Sequence, residues 1–256
     1  MSAASSWFLR RPTSHALRLY CFPYAGGSAG AFMQWQALME PYVEVCALQL
    51  PGRGSRIAEP PITSMDALVE TIAAIIARQH DRPFAFFGHS LGALLAFETA
   101  HCLAKFGLPQ PSQLLVSGSP APPCRQLRKP LHLLPDAEFI RELQELNGTP
   151  EDVLRNHELM QLLLPSLRAD FALASQYAYR QREPLSVPMN VLAGRQDTAT
   201  DPQNVGPWAR ETTGACSMRW FDGDHFFIDT HRQDVAKFVC AEVMRLLPCP
   251  QPAAAI

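Results

Sequence analysis

Short apolar runs with few polar interruptions recur along the chain: Leu17 to Phe22, Val43 to Leu48, Phe84 to Phe87, Gln113 to Ser117, Met189 to Ala193 and Ser217 to Phe221. A strand with one wet face alternates apolar and polar residues, whereas a strand covered on both faces reads as a continuous apolar run. These runs therefore predict strands buried on both faces. Between them, Met65 to Arg78 and Leu91 to Phe106 carry apolar residues at helical spacing, and Thr63 with Asp66 forms a capping box ahead of the first. Strand and helix in alternation predict an α/β fold, a mostly parallel central sheet flanked by helices. At 256 residues, 47% of them hydrophobic, the chain fits one large core, so residues 1–256 are expected to form a single domain.

The alternation breaks between Pro120 and Pro184. After a Pro-rich start come Leu-rich helical patterns, among them Asp136 to Leu146 and Glu158 to Tyr179. The stretch is longer than ordinary connections and predicts an inserted helical cap over residues 120–184, the alternative being ordinary crossover helices. The tail Pro248 to Ile256 is expected to fray. No internal repeat is visible.

Gly88-His89-Ser90-Leu91-Gly92 matches G-x-S-x-G, in which small residues let a strained turn between strand and helix hold a serine out from the sheet. Both flanks that this geometry needs are present, a strand ending at Phe87 and a helix starting at Leu91. A second match, Gly26-Gly27-Ser28-Ala29-Gly30, is separated from its strand by Pro23, Tyr24 and Ala25, which makes Ser28 a poor nucleophile. A Gly-rich loop after an early strand suits a different task, turning a backbone N–H toward an oxyanion. The hole is therefore assigned to the N–H groups of Leu91 and Ala25, with Gly26 as the alternative to Ala25. The loop lacks the Gly-Lys-Ser/Thr ending and the G-x-G-x-x-G spacing of a nucleotide site.

On such a fold an acid and a base should follow the serine in that order, each on a loop after a later strand. Asp197 follows the Met189 to Ala193 strand. Its rival Asp201 precedes Pro202 and reads as a helix N-cap with proline at the first helical position. His225 follows the Ser217 to Phe221 strand. His89 lies inside the elbow facing away from the Ser90 hydroxyl, His132 and His157 lie in the presumed cap, and His15, His80, His101 and His231 lack strand-end context. Ser90, Asp197 and His225 thus predict a serine hydrolase of the α/β-hydrolase fold, working through an acyl-enzyme. The triad does not choose among ester, thioester and amide.

Composition narrows the partners. A net charge of −2 offers no basic surplus for a nucleic-acid backbone. Met1 to Arg11 lacks the apolar core of a secretory signal, and Leu68 to Ala77, which carries Glu70, is too short to span a membrane. The seven cysteines, 21, 46, 102, 124, 216, 240 and 249, lack metal-ligand spacing and read as buried thiols of a reducing compartment. Neither metal nor cofactor is expected.

Read together, Cys21 to Ser28, Gln49 to Arg56, Phe86 to Gly92, Leu146 to Pro150, Leu164 to Phe171 and Gly223 to Phe227 resemble the type II thioesterases that accompany nonribosomal peptide and polyketide synthases. The resemblance spans nearly the whole chain outside its termini. It implies hydrolysis of acyl groups from the phosphopantetheine arm of carrier proteins, with Ser90 as nucleophile, Asp197 as acid, His225 as base and Pro120 to Pro184 as a mobile lid. It also implies a monomer whose partners are acyl or peptidyl carrier domains, while the thiol pattern gives the expectation of a cytoplasmic protein. Tyr24 stands where many members carry histidine or phenylalanine, and Leu91 where methionine is common; neither change removes a backbone donor. Arg125, Arg128 and Lys129, with Arg53 and Arg56, either meet an acidic carrier helix or are solvated charges. Two other functions share the residues so far named: an esterase or lipase acting on small soluble esters, and a noncatalytic ligand-binding protein that keeps the hydrolase fold.

Overall fold

The computed structural model describes residues 7–11, 13–79, 81–125 and 129–247. His80, Arg128, Cys249 and the tail from Pro248 to Ile256 lie outside the described residues. The expected strands form as β2 (Leu17–Phe22), β3 (Val43–Leu48), β4 (Phe84–His89), β5 (Leu114–Ser117), β6 (Met189–Gly194) and β7 (Cys216–Phe221), preceded by a two-residue β1 (Phe8–Leu9). The sheet order is β1-β3-β2-β4-β5-β6-β7. All neighbours are parallel except β1, which runs antiparallel to β3. The chain steps from β2 outward to β3 and then returns to place β4 on the other side of β2. Open α/β sheets bind ligands at such a reversal, outside the carboxyl ends of the strands.

The continuous apolar runs are explained by cover on both faces. Along β2 and β4 successive side chains point to opposite sides, so Tyr20, Phe22, Phe84 and Phe86 enter one core while Leu19, Cys21, Ala85 and Phe87 enter the other. The short helices α1 (Gly30–Met33) and α2 (Gln36–Met39) cover the second face. On the first face lie α3 (Met65–Ala77) and α4 (Leu91–Lys105). Full burial of one such phenylalanine is worth about 2–3 kcal/mol. Two expectations are corrected. The capping residue of α3 is Ser64, whose hydroxyl accepts the Ala67 N–H at 3.3 Å, rather than Thr63. Cys216 to Arg219 of β7 are exposed, because an edge strand has a neighbour on one side alone.

Between β5 and β6 stand α5 (Asp136–Glu145), α6 (Glu151–Arg155) and α7 (His157–Ser175). Phe139, Leu143, Leu154, Met160, Leu164 and Leu167 give this segment a small apolar cluster of its own. Helix α7 stops at Ser175, short of the expected Tyr179, and the residues beyond it bond elsewhere: the Tyr177 hydroxyl donates to Glu98 at 2.7 Å and that of Tyr179 to Glu211 at 3.0 Å. Among the described residues the remaining α-helices of four or more residues are α8 (Pro202–Val205), α9 (Phe227–Thr230) and α10 (Arg232–Met244), the last against the second core. The described cysteines are free thiols; Cys21, Cys46 and Cys102 are buried, Cys124 and Cys240 are intermediate, and Cys216 is exposed rather than buried as expected. Among the described residues no helix is long and apolar enough to cross a membrane.

Candidate active site

Ser90 joins β4 to α4 at φ 55° and ψ −113°, a backbone conformation costly for a residue with a side chain. Two glycines make the tight turn possible. A Cβ on Gly88 would lie 2.1 Å from the Gly92 carbonyl oxygen, and one on Gly92 would lie 2.0 Å from the carbonyl oxygen of Phe22 on β2. The Ser90 N–H donates to the Ser117 carbonyl at the end of β5, 2.8 Å away. The serine is therefore held at the reversal of strand order, where α4 begins. Unpaired amides give a helix start partial positive charge, which favours a developing anion.

Asp197 and His225 sit on loops that are tied together. The Gln196 N–H donates to the Gly223 carbonyl at 3.0 Å, the Arg195 N–H to the Phe221 carbonyl at 2.9 Å, and the Gly223 N–H to the Gln196 side chain. A Cβ on Gly194 would meet the Asp224 carbonyl oxygen at 2.6 Å, so that glycine lets the two loops close. Across this contact His225 Nδ1 lies 2.8 Å from Asp197 Oδ2, while Asp197 Oδ1 accepts the Ala199 N–H at 2.8 Å. Burial pushes the Asp197 carboxyl up, but the bond and charge of His225 and the Ala199 amide outweigh it and leave the group below its ordinary value. Asp201 is engaged as expected: it caps α8 by accepting the N–H groups of Gln203 and Asn204 at 2.8 and 2.9 Å, with Pro202 at the first helical position.

Ser90, Asp197 and His225 line one cavity of about 510 Å³, together with Ala25 and Leu91. Its walls come largely from the segment between β5 and β6, including Leu131, Leu143, Leu146 and Phe171. A larger cavity, about 1050 Å³, lies among Glu98, His101, Tyr177 and Arg182 and contains none of the three. Size therefore does not choose between them; the smaller cavity is the one lined by a strained serine and a carboxylate-bonded histidine. The Leu91 N–H is the first of α4 and stands outside the helix ladder. Of the two amides considered beside it, that of Gly26 is committed to Asp170 Oδ2 at 2.7 Å, whereas the Ala25 N–H has no partner among the described residues. Ser28 does not line the cavity.

Other residues around the site were not assigned roles from the sequence. The buried His89 ring packs 5.1 Å from the His225 ring, and its Nδ1 lies 2.9 Å from Ser117 Oγ. Burial first, and the neighbouring His225 second, push His89 well below the ordinary histidine range, so it stays neutral. Gly118, at φ 57°, leaves room for it: a Cβ there would lie 2.3 Å from the imidazole. Tyr24 lines the cavity and donates its hydroxyl to Asp229 at 3.1 Å. His132 does not line the cavity but lies behind its wall, 3.1 Å from the hydroxyl of the lining Ser175.

The expected basic surface is corrected in part. Arg53 and Arg56 are each 5% exposed. Arg53 pairs with Asp170; Arg56 donates to Glu59 and to the Gln49 carbonyl and lies 4.0 Å above the Trp7 ring. A buried guanidinium is spent on its internal partners and cannot meet a docking helix. Lys129 is exposed but paired with Glu142 at 2.6 Å, and Arg125 donates to Ser119 and to the Ala174 carbonyl. Among the described residues no cluster of His, Cys, Asp and Glu is arranged to hold a metal ion.

The thioesterase domain family model matches residues 17–242. The gramicidin S biosynthesis protein GrsT of Aneurinibacillus migulanus is 40% identical over 253 residues, 98% of each chain. The solved type II thioesterase BorB from the borrelidin biosynthetic cluster superposes with a TM-score of 0.86 at 34% identity, covering 95% of this chain and 100% of its own. YbtT, a type II thioesterase from the yersiniabactin NRPS/PKS pathway, gives 0.81 at 31% identity over 93% and 97% of the two chains. The chain belongs to the thioesterase family: it is a hydrolase with the α/β-hydrolase fold, of the type II kind found with nonribosomal peptide and polyketide pathways.

Proposed function

We propose that the protein removes acyl groups from the phosphopantetheine arm of carrier proteins, with Ser90 as nucleophile, His225 as general base and acid, and Asp197 as the carboxylate that orients the imidazole. The observation that carries this reading is the strained Ser90 sharing one cavity with a histidine whose Nδ1 is bonded to a buried carboxylate. His225 takes the Ser90 proton as Oγ attacks the thioester carbonyl. Asp197 fixes the tautomer that leaves Nε2 free to do so. The carbonyl oxygen becomes an oxyanion held by the N–H groups of Leu91, at the start of α4, and Ala25, in the Gly-rich loop after β2. Collapse of the tetrahedral intermediate breaks the C–S bond and releases the pantetheine thiolate, which takes the proton from His225. A thiolate of pKa near 8.5 leaves with little help from the acid, unlike an amine or alkoxide. Water then attacks the acyl-enzyme with His225 again as base, freeing the carboxylic acid and restoring Ser90.

The substrate assignment draws on the type II thioesterases among the chain's relatives, and it matches a chamber with Leu131, Leu143, Leu146 and Phe171 along one wall. In this reading the 120–184 segment is the lid, and the arm threads between its helices and the sheet. The test is hydrolysis of an acetylated carrier protein followed by intact mass, comparing wild type with Ser90→Ala. Rapid loss of the acyl mass that Ser90→Ala abolishes is the expected result. A wild type that leaves the carrier loaded while cleaving a soluble ester through Ser90 would replace this reading with that of an esterase.

A further inference from the structure

Helix α7 places one carboxylate on its buried side. Asp170 is 1% exposed and receives three donors: the Arg53 guanidinium through Nη1 to Oδ2 and Nη2 to Oδ1, each at 2.6 Å, and the Gly26 N–H to Oδ2 at 2.7 Å. Arg53 Nη1 also donates to the Gly27 carbonyl at 3.0 Å. The ion pair thus grips the Gly-rich loop by a donor and by an acceptor on adjacent residues. The fit is close on both sides of Asp170. Gly26 stands at φ 77°, where a Cβ would lie 2.8 Å from the Leu167 side chain of α7, and a Cβ on Gly52 would lie 3.2 Å from Cβ of Ser166 on the same helix. Gln49, just after β3, completes the frame by accepting the Ala29 N–H at 3.3 Å and donating to the Arg53 carbonyl at 3.0 Å.

This grip fixes an amide that it does not touch. The Ala25 N–H shares a planar peptide with the Tyr24 carbonyl and points the opposite way. That carbonyl accepts the Gly27 N–H at 2.8 Å, and Gly26 and Gly27 are the residues that Asp170 and Arg53 hold. Fixing Gly27 fixes the Tyr24 carbonyl, and with it the direction of the Ala25 N–H. A buried ion pair is a poor source of stability, since apolar residues of similar volume often serve as well or better. Such residues would leave the Gly26 N–H and Gly27 carbonyl without these partners.

We infer that Asp170 and Arg53 are positioning residues for the oxyanion hole, a clamp through which α7 of the helical segment sets the direction of the Ala25 N–H toward the Ser90 cavity. The inference rests on the proposed role of Ala25 and adds to it the residues that maintain it. It also makes the helical segment part of the chemical apparatus and not just a wall of the chamber.

The test compares Arg53→Met/Asp170→Leu, which removes both buried charges together, with Asp170→Asn, which keeps an acceptor for Gly26. Each is measured for kcat and KM on an acyl-pantetheine thioester, for Ki of a trifluoromethyl ketone analogue whose hemiketal oxyanion occupies the hole, and for melting temperature. Loss of a whole oxyanion donor costs about 100 to 1000-fold in kcat, and a misdirected donor should cost part of that. The double variant is expected to lose about 10 to 100-fold in kcat with KM within about twofold, and Ki should rise by a similar factor. Asp170→Asn should keep kcat within about threefold despite lower stability. If the double variant does not fold, Asp170→Leu measured per folded active site takes its place. A double variant, or its replacement, with unchanged kcat and Ki per folded molecule would reduce the pair to a structural one and overturn the inference. Wild-type enzyme indifferent to the trifluoromethyl ketone would overturn the oxyanion reading and this inference together. Full activity in Ser90→Ala would instead overturn the nucleophile assignment.

Discussion

The two sides of the cavity are built on different principles. On one side Ser90, Asp197 and His225 stand at or just beyond strand ends of a parallel sheet, and β2 to β6 are buried throughout. On the other side stand helices whose apolar cluster is limited to a handful of residues around Phe139 and Leu143. A large two-faced core holds reacting groups to the fractions of an ångström that catalysis needs: the strand ends before Ser90 and Asp197 have neighbours on both sides, and the His225 loop, after the edge strand, is bonded to the Asp197 loop. A small cluster has fewer contacts to lose on opening, which suits the proposed role of admitting and releasing a carrier-bound acyl group.

The largest effect that separates the two sides should come from Ser90→Ala. Thioesterase kcat is expected to fall at least about 10⁴-fold with the melting temperature nearly unchanged, because the loss lies in the reaction and not in the packing. Asp197→Asn should follow at about 10³ to 10⁴-fold, because the amide would favour the wrong imidazole tautomer; steady-state kinetics beside a circular dichroism melt would check both. Packing distinguishes the sides next. Phe86→Ala in the sheet core should cost about 3–5 kcal/mol in a denaturant titration. Phe139→Ala, in the small cluster, should shift the global transition less and instead alter kcat/KM across a series of acyl lengths. Equal global destabilisation by the two would contradict the contrast drawn here.

A smaller effect concerns pH. Burial, and the charge of Arg182, lower the His101 imidazole from 6.5 to about 3. The unfolded chain binds this proton near pH 6.5 and the folded chain does not, so His101 reduces stability progressively as pH falls from about 6.5 toward 3. His101→Gln, which has no proton to take up, should lower the acid-unfolding midpoint measured by tryptophan fluorescence.

What could be read from the sequence follows the same division. Strands buried on both faces announce themselves as apolar runs, and β2, β3, β4 and β6 were located within a residue or two. The strand–serine–helix context singled out Ser90, and Pro202 separated the capping Asp201 from Asp197. Features that depend on distant partners stayed hidden. Arg53 and Arg56 looked like surface charges because the carboxylate that buries Arg53 is 117 residues further along. Asp170 lies two residues after Arg168 in α7, and nothing in its local pattern points to Arg53. The two-residue β1 is too short for periodicity to reveal, and α7 ends where Tyr177 and Tyr179 find acceptors outside the segment.

The helical segment leaves the sheet after β5 and returns to it at β6, and these strands are immediate parallel neighbours with Leu114 opposite Met189. Its two ends are thus anchored on adjacent strands, at the carboxyl end of β5 and the amino end of β6, whatever lies between them, which makes the segment a natural cassette. Exchanging it for a longer or shorter helical assembly would leave every strand register intact. A transplanted cassette would still need an acid opposite Arg53, so an exchange in this architecture carries a fixed stitch beside the loop after β2.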